Sequence, residues 1–382
     1  MRMGRELLLC GAFLAARPCF ADDPRPPQLT ISYLAQPAPI VQHGATELAY
    51  EMVITNFSNS RYVLNSIDAR AGDARFSFAG RSLADMIVHL GAWGDPKRAT
   101  DFSIEGGGSI IVFLLLDFGG SQAPDAIAHS IHVVDDRNAA HDMALAPLSV
   151  SQEKPIVVAA PLRGEWIAGD SLNNGTDAAH RRAVLVANGR AWLSQRYAID
   201  WVQYQTVDGV RTTWRGPEDK NESYFCYDKP IYSVAAGTVV QVLDGLAENI
   251  PHSGKYATPI DFDTAGGNHV VVEIAPRRYV LYAHMRPGSL RVKLGDTVHA
   301  GDVLGHVGNT GSSTEPHLHM HVDDQPSFLA GDGVPYEFAS GEASGPVEAN
   351  VSSPGAVRLG SIGPQQPFTD DYPAENALVT FK

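Results

Sequence analysis

Pro316-His317-Leu318-His319-Met320-His321-Val322 sets three imidazoles at every second residue, with apolar side chains between them. Strict alternation of this kind reads as a β-strand whose three rings share one face, neighbours lying about 6.6 Å apart. Two adjacent rings can converge on one zinc ion, or on a zinc and its bound water, whereas a third ring about 13 Å from the first cannot easily join them. The preceding hundred residues have the same character. Residues 231–242 read as strand, turn, strand, and Gly267-Asn268-His269-Val270-Val271-Val272-Glu273-Ile274 and Tyr279-Val280-Leu281-Tyr282-Ala283-His284 follow as further strands. Residues 292–298 and 301–308 alternate in the same way around Gly295-Asp296 and Gly301-Asp302.

Taken in order, Leu281-Tyr282-Ala283-His284, Lys293-x-Gly295-Asp296-x-Val298-x-x-Gly301, Gly305-x-Val307-Gly308-Asn309-Thr310-Gly311 and Pro316-His317-Leu318-His319 resemble the lysostaphin-type zinc endopeptidases. The resemblance spans roughly residues 178–335 and is continuous from Gly267 to Val322. It implies the duplicated-hybrid-motif β-fold and cleavage of peptide cross-bridges in bacterial peptidoglycan. It also implies one Zn2+ held by three protein ligands with a fourth position open. Two of those ligands come from a His-x-x-x-Asp motif and the third is the last His of His-x-His. By position Asp200 and His319 match ligands, and His284 and His317 match the two histidines that serve acid–base and oxyanion roles.

Asp200 also stands out by itself, because it sits between Ile199 and Trp201, where an unpaired carboxylate is expensive. The sequence departs from the family four residues earlier: position 196 is Arg, whose guanidinium stays protonated and cannot ligate zinc. Two readings follow. Either the site is degenerate, with Arg196 paired to Asp200 on one strand face and the fold surviving as a peptidoglycan-binding or hydrolase-activator module, or another histidine is the missing ligand. His180 is the candidate. Residues 179–186 and 191–201 read as two strands of a hairpin about Asn188-Gly189. A two-residue loop sets His180 opposite Tyr197, on the wrong face for Asp200, and a three-residue loop or a bulge corrects this. The set favoured is therefore His180, Asp200 and His319 for metal, with His284 and His317 for catalysis. A phosphocarrier is a third reading of the Gly-Asp-x-Val turn, disfavoured by the export signal described next.

The remainder of the chain frames this segment. Arg2 and Arg5, the apolar run from Leu7 to Ala16 and Cys19-Phe20-Ala21 read as an export signal over residues 1–21, implying a periplasmic or extracellular protein. Its removal takes three Arg and one Glu from a chain of net charge −14 and leaves about −16. Such acidity disfavours nucleic acid and anionic membrane surfaces as partners. No later apolar run has the length of a membrane helix, and 110–116 reads as one buried strand. Cys226 would then be the one cysteine left, so no intramolecular disulfide forms, and its apolar surroundings read as burial. The 36 Gly, 25 Pro and few aromatics among 382 residues favour short strands and turns.

In residues 22–154 Leu48, Tyr50, Met52 and Ile54 fall on one side of a strand and Glu51 and Thr55 on the other. With several similar strands this predicts an immunoglobulin-like β-sandwich, with at most a short helix over 82–90. Its expected role is spacing or docking to a protein partner. His43, His89, His129, His132 and His141 lack shared metal spacing there. Residues 155–177 read as a linker into the peptidase domain (155–340), and 341–382, rich in Gly, Ser, Pro and Ala, as a loosely ordered tail. His321 is expected to face solvent beside the site.

Overall fold

The computed structural model describes residues 26–90, 102–175, 178–207, 210–353 and 356–382. The export signal read over 1–21 lies outside these. The described chain is nearly all β, with helix confined to single turns.

The first half is a two-sheet antiparallel sandwich. One sheet orders Leu29–Tyr33, Ala45–Asn56, Ser109–Asp117 and Ile87–His89, with Pro39–Gln42 added beside Ala45–Asn56. The other orders Ala140–Ala144, Ala126–Asp135, Tyr62–Ala71 and Ala74–Ala79. Leu48, Tyr50, Met52 and Ile54 meet Leu64, Ile67, Ile131 and Val133 in the core between them. The helix expected over 82–90 is a single turn, Arg81–Ala84, after which Ile87–His89 pairs with Ser109–Asp117 as an edge strand. β-branched Ile87 and Val88 suit a pleated edge better than a helix.

The second half is built on a ten-stranded antiparallel sheet. In order its strands are Thr297–Val298, Gly237–Leu243, Asn268–Ala275, Arg278–Met285, Leu318–Asp323, Ile199–Val202, Gly164–Gly169, Leu378–Phe381, Gly341–Ala343 and Gln366–Phe368. Both faces of the middle strands are covered: Val270, Val272, Val280 and Tyr282 enter the main core, while Val271, Leu281 and Ala283 pack with Phe328 on the other side. Burial on both faces is why these strands read as continuous apolar runs.

Three expectations are corrected. The segment 155–177 is no linker, because Gly164–Gly169 is a central strand with Trp166 buried, paired to Ile199–Val202 and Leu378–Phe381. Residues 341–382 are no loose tail, because Leu378–Phe381 lies inside the sheet and Tyr372 and Phe381 are buried in the main core. Strand pairing supplied by a distant segment leaves little periodic signal in a four-residue stretch. The hairpin about Asn188-Gly189 exists, with both turn residues at positive φ, but it is only Leu185–Ala187 against Arg190–Trp192. Residues Ala179–Arg182 form one helical turn and Ser194–Tyr197 a 3-10 turn, so the long strands expected on either side do not form.

The two halves are packed together. Ile40 and Ala49 of the sandwich enter the core of the second half, and Ile111 and Phe113 close on Leu193. Gln42 donates to the carbonyls of Leu172 and Pro373 across the junction.

Candidate metal centre

The site forms where three neighbouring strands end at the same level. Ile199–Val202 and Leu318–Asp323 are paired so that Asp200 stands directly opposite His319, and Ala283 is opposite His319 on the other side. His284, next to last in the strand Arg278–Met285, has φ +62°, a left-handed conformation unusual for a residue with a side chain, and its N–H donates to the Gly266 carbonyl. Such outliers persist where surrounding structure over-determines them. Gly267, itself at φ +62°, lies so close to Thr310 that an added Cβ would be 2.4 Å from its carbonyl oxygen. Thr310 in turn accepts from His284 Nδ1 at 2.8 Å.

Three imidazoles gather around one carboxylate, with a fourth beside them. His319 Nδ1 is 2.9 Å from Asp200 Oδ1, His317 Nε2 is 3.4 Å and His180 Nε2 is 3.5 Å from the same oxygen. The His284 ring lies 4.8 Å from that of His317, and the His180 ring 4.7 Å from that of His319. Phe328 closes one side, its ring 5.0 Å from that of His319.

Each outer imidazole is anchored through Nδ1. His284 donates to Thr310, His317 to the Glu315 carbonyl at 2.8 Å, and His180 to the Asp170 carbonyl at 2.8 Å. That leaves Nε2 facing the site in all three, the atom a metal ligand or a base would use. Asp170 further holds the turn Ala179–Arg182 by accepting from the backbone N–H of Ala179 and His180.

Charge is distributed unevenly. Burial opposes a charge on His180, but the Asp170 and Asp200 carboxylates raise its pKa to about 10. Burial lowers His319 to about 4. Burial and the neighbouring imidazoles of His317 and His319 hold His284 well below the usual histidine range, whereas Asp200 outweighs burial and raises His317. Asp200, in spite of burial, is held well below the usual carboxylate range by His317 and His180.

Two sets of donor atoms lie within 4.8 Å of one another: His180, Asp200 and His319, and His284, His317 and His319. The first set has the nitrogen and oxygen chemistry of a three-ligand zinc site and includes the carboxylate that offsets the cation's charge. Its convergence on Asp200 Oδ1 fits a cation. All five residues singled out by sequence are thus brought together. His180 reaches Asp200 from a helical turn, not from the strand expected, so the register argument does not apply to it.

Two placements differ from expectation. Arg196 does not pair with Asp200. Its guanidinium contacts Glu51 of the sandwich, through Nη2 to Oε2 at 2.7 Å, and the Gly333 carbonyl at 3.2 Å. The cause is the 3-10 turn, which breaks the common strand face that an i, i+4 pair would have used. His321 does not face solvent: it is fully buried, and its Nδ1 is 2.9 Å from His319 Nε2. Sequence reasoning missed Asp170, His321 and Glu51 as supports. Only His321 carried a signal, through its period-two relation to His319.

Residues 224–329 match the family model described as Peptidase family M23. Over this segment the chain is similar to the M23 peptidases. The matched segment holds His284, His317 and His319, while His180 and Asp200 lie upstream of it. An uncharacterized metalloprotease of Buchnera aphidicola subsp. Baizongia pistaciae (strain Bp) is 33% identical over 91 residues, 20% of this chain and 24% of that protein. The chain thus spans about a quarter of the length of the curated relative it matches. Among solved structures, the catalytic domain of the antimicrobial peptidase lysostaphin from Staphylococcus simulans is 22% identical, covering 30% of this chain and 83% of that chain, with a TM-score of 0.19. A zinc-containing peptidase from Vibrio cholerae is 15% identical over 75% of this chain and 80% of that chain, with a TM-score of 0.22. No helix among the described residues is long and apolar enough to cross a membrane.

Proposed function

We propose that this protein is an exported zinc metalloendopeptidase that hydrolyses peptide bonds in peptidoglycan, with His180, Asp200 and His319 as metal ligands. The observation that carries this reading is the convergence of those three donors within 4.8 Å, with His284 and His317 beside them. A bound zinc would supply an acidified water and polarisation of the scissile carbonyl. His284, kept neutral by burial, would take the water proton at Nε2. His317 would donate from Nε2 to the oxygen on which negative charge develops. The backbone carbonyls of Thr310 and Glu315 fix both rings through Nδ1 and leave Nε2 for these roles. Peptidoglycan as substrate rests on the lysostaphin-type resemblance of the 267–322 block, and export on the character of residues 1–21.

The test is zinc content of protein purified without chelator, beside His319→Ala and His180→Ala, followed by hydrolysis of purified sacculi. About one zinc per chain lost in both variants is expected, together with sacculus cleavage abolished by His317→Ala. No zinc in the parent even after addition would favour the binding or activator reading. Full sacculus hydrolysis by His317→Ala would overturn its catalytic role.

A further inference from the structure

The face of Ala45–Asn56 opposite the sandwich core is covered by the second half of the chain: Ala49 enters its core and Val53 packs near Leu193. Glu51 lies between them and is fully buried. A carboxylate there is costly unless charges and hydrogen bonds compensate it. They do so from two places. Arg181 Nη1 bonds Oε1, and Arg196 bonds both oxygens, Nε at 3.1–3.2 Å and Nη2 at 2.7 Å. Burial works against this charge, but Arg196 and Arg181 hold the carboxyl below its usual range.

Both arginines adjoin candidate ligands. Arg181 follows His180 on a turn of only four residues, too short to be stable by its own backbone hydrogen bonds. Successive residues on a helical turn point about 100° apart, so Arg181 can enter the junction while His180 faces Asp200. Arg196 lies on the Ser194–Tyr197 turn that feeds the strand of Asp200. One carboxylate from the sandwich therefore ties down both segments that bring His180 and Asp200 together.

We infer that Glu51 is a positioning residue for the metal centre, so that the sandwich is part of the site's scaffold. This inference rests on the reading of His180, Asp200 and His319 as ligands. It also accounts for arginine at 196: the position is committed to the junction.

The test uses the full chain and two variants, Glu51→Gln and the apolar replacement Glu51→Met/Arg181→Met/Arg196→Met. Zinc affinity is measured by chelator competition, and unfolding is measured separately in EDTA. Glu51→Gln is expected to weaken zinc by about tenfold or more, the scale of lost ligand support. The triple variant, which removes the Glu51 carboxylate together with both of its cations, should unfold in EDTA near the parent's midpoint yet keep the weakened zinc affinity. Parent-like zinc affinity in either folded variant overturns the inference. If neither folds, Arg181→Lys decides by the same zinc comparison. A parent that binds no zinc overturns the ligand reading and this inference together, whereas a parent that binds zinc no better than Glu51→Gln overturns only the inference.

Discussion

Replacing Arg196 by histidine restores the His-x-x-x-Asp spacing of the lysostaphin-type enzymes on paper, and the structure expects it to do harm. Arg196 is 3% exposed and its Cβ abuts Gly333, where an added Cβ would lie 3.1 Å away. Its side chain runs to Glu51, away from the Asp200 pairing. An imidazole at 196 cannot span the two Glu51 oxygens and reach the Gly333 carbonyl as the guanidinium does. Glu51 would keep Arg181 alone, and breaking a buried pair in this way costs about 3–5 kcal/mol. At roughly 2–4 °C per kcal/mol for a large domain, the EDTA-treated protein should melt about 10 °C lower. Zinc affinity should fall with it. The assay is thermal unfolding in EDTA with chelator competition for zinc, on Arg196→His alone and combined with His180→Ala. Tighter zinc binding by Arg196→His, or zinc regained in the double variant, would show that position 196 faces Asp200 and would refute the assignment of His180.

Three further outcomes are expected. Phe381→Ala should cost about 3–5 kcal/mol in urea unfolding, because the ring is 2% exposed and packs 5.3 Å from Trp201 and 5.2 Å from Phe338; a cost near zero would return residues 378–381 to a loose tail. His129, 2.7 Å from Tyr50 Oη, is lowered by burial from 6.5 to about 4, so stability present above pH 6.5 is lost as the pH falls toward 4. At about 1.4 kcal/mol per pH unit this loss is ~3 kcal/mol, and His129→Gln should flatten the stability–pH curve, whereas curves parallel to the parent's would contradict it. His321→Ala should weaken zinc by about 10–100-fold by removing the partner of His319 Nε2, and unchanged affinity would make His321 plain filling.

Strand content, the sandwich in the first half and the alternation of His317 and His319 were legible from period-two patterns, because the pleat imposes that period on any half-buried strand. Asp200 was legible as a carboxylate in an apolar setting that demanded a partner. The buried strand at 110–116 was legible too, since covering both of its faces leaves an unbroken apolar run. Residues 155–177 and 341–382 were misread because their strands are short and owe their order to pairing with other segments, as Gly164–Gly169 does with Leu378–Phe381.

The sequence alone determined which residues can ligate, titrate or alternate along a strand, since these are properties of side-chain chemistry and local backbone geometry. Only the tertiary structure decided which of them meet. His319 finds Asp200 across 119 residues and Arg196 finds Glu51 across 145. A two-turn change from strand to helix at 179–182 and 194–197 was enough to bring His180 to Asp200 and send Arg196 to Glu51. The physical reason is that a side chain's direction follows from its own backbone, while its partner is set by the packing of every element between them.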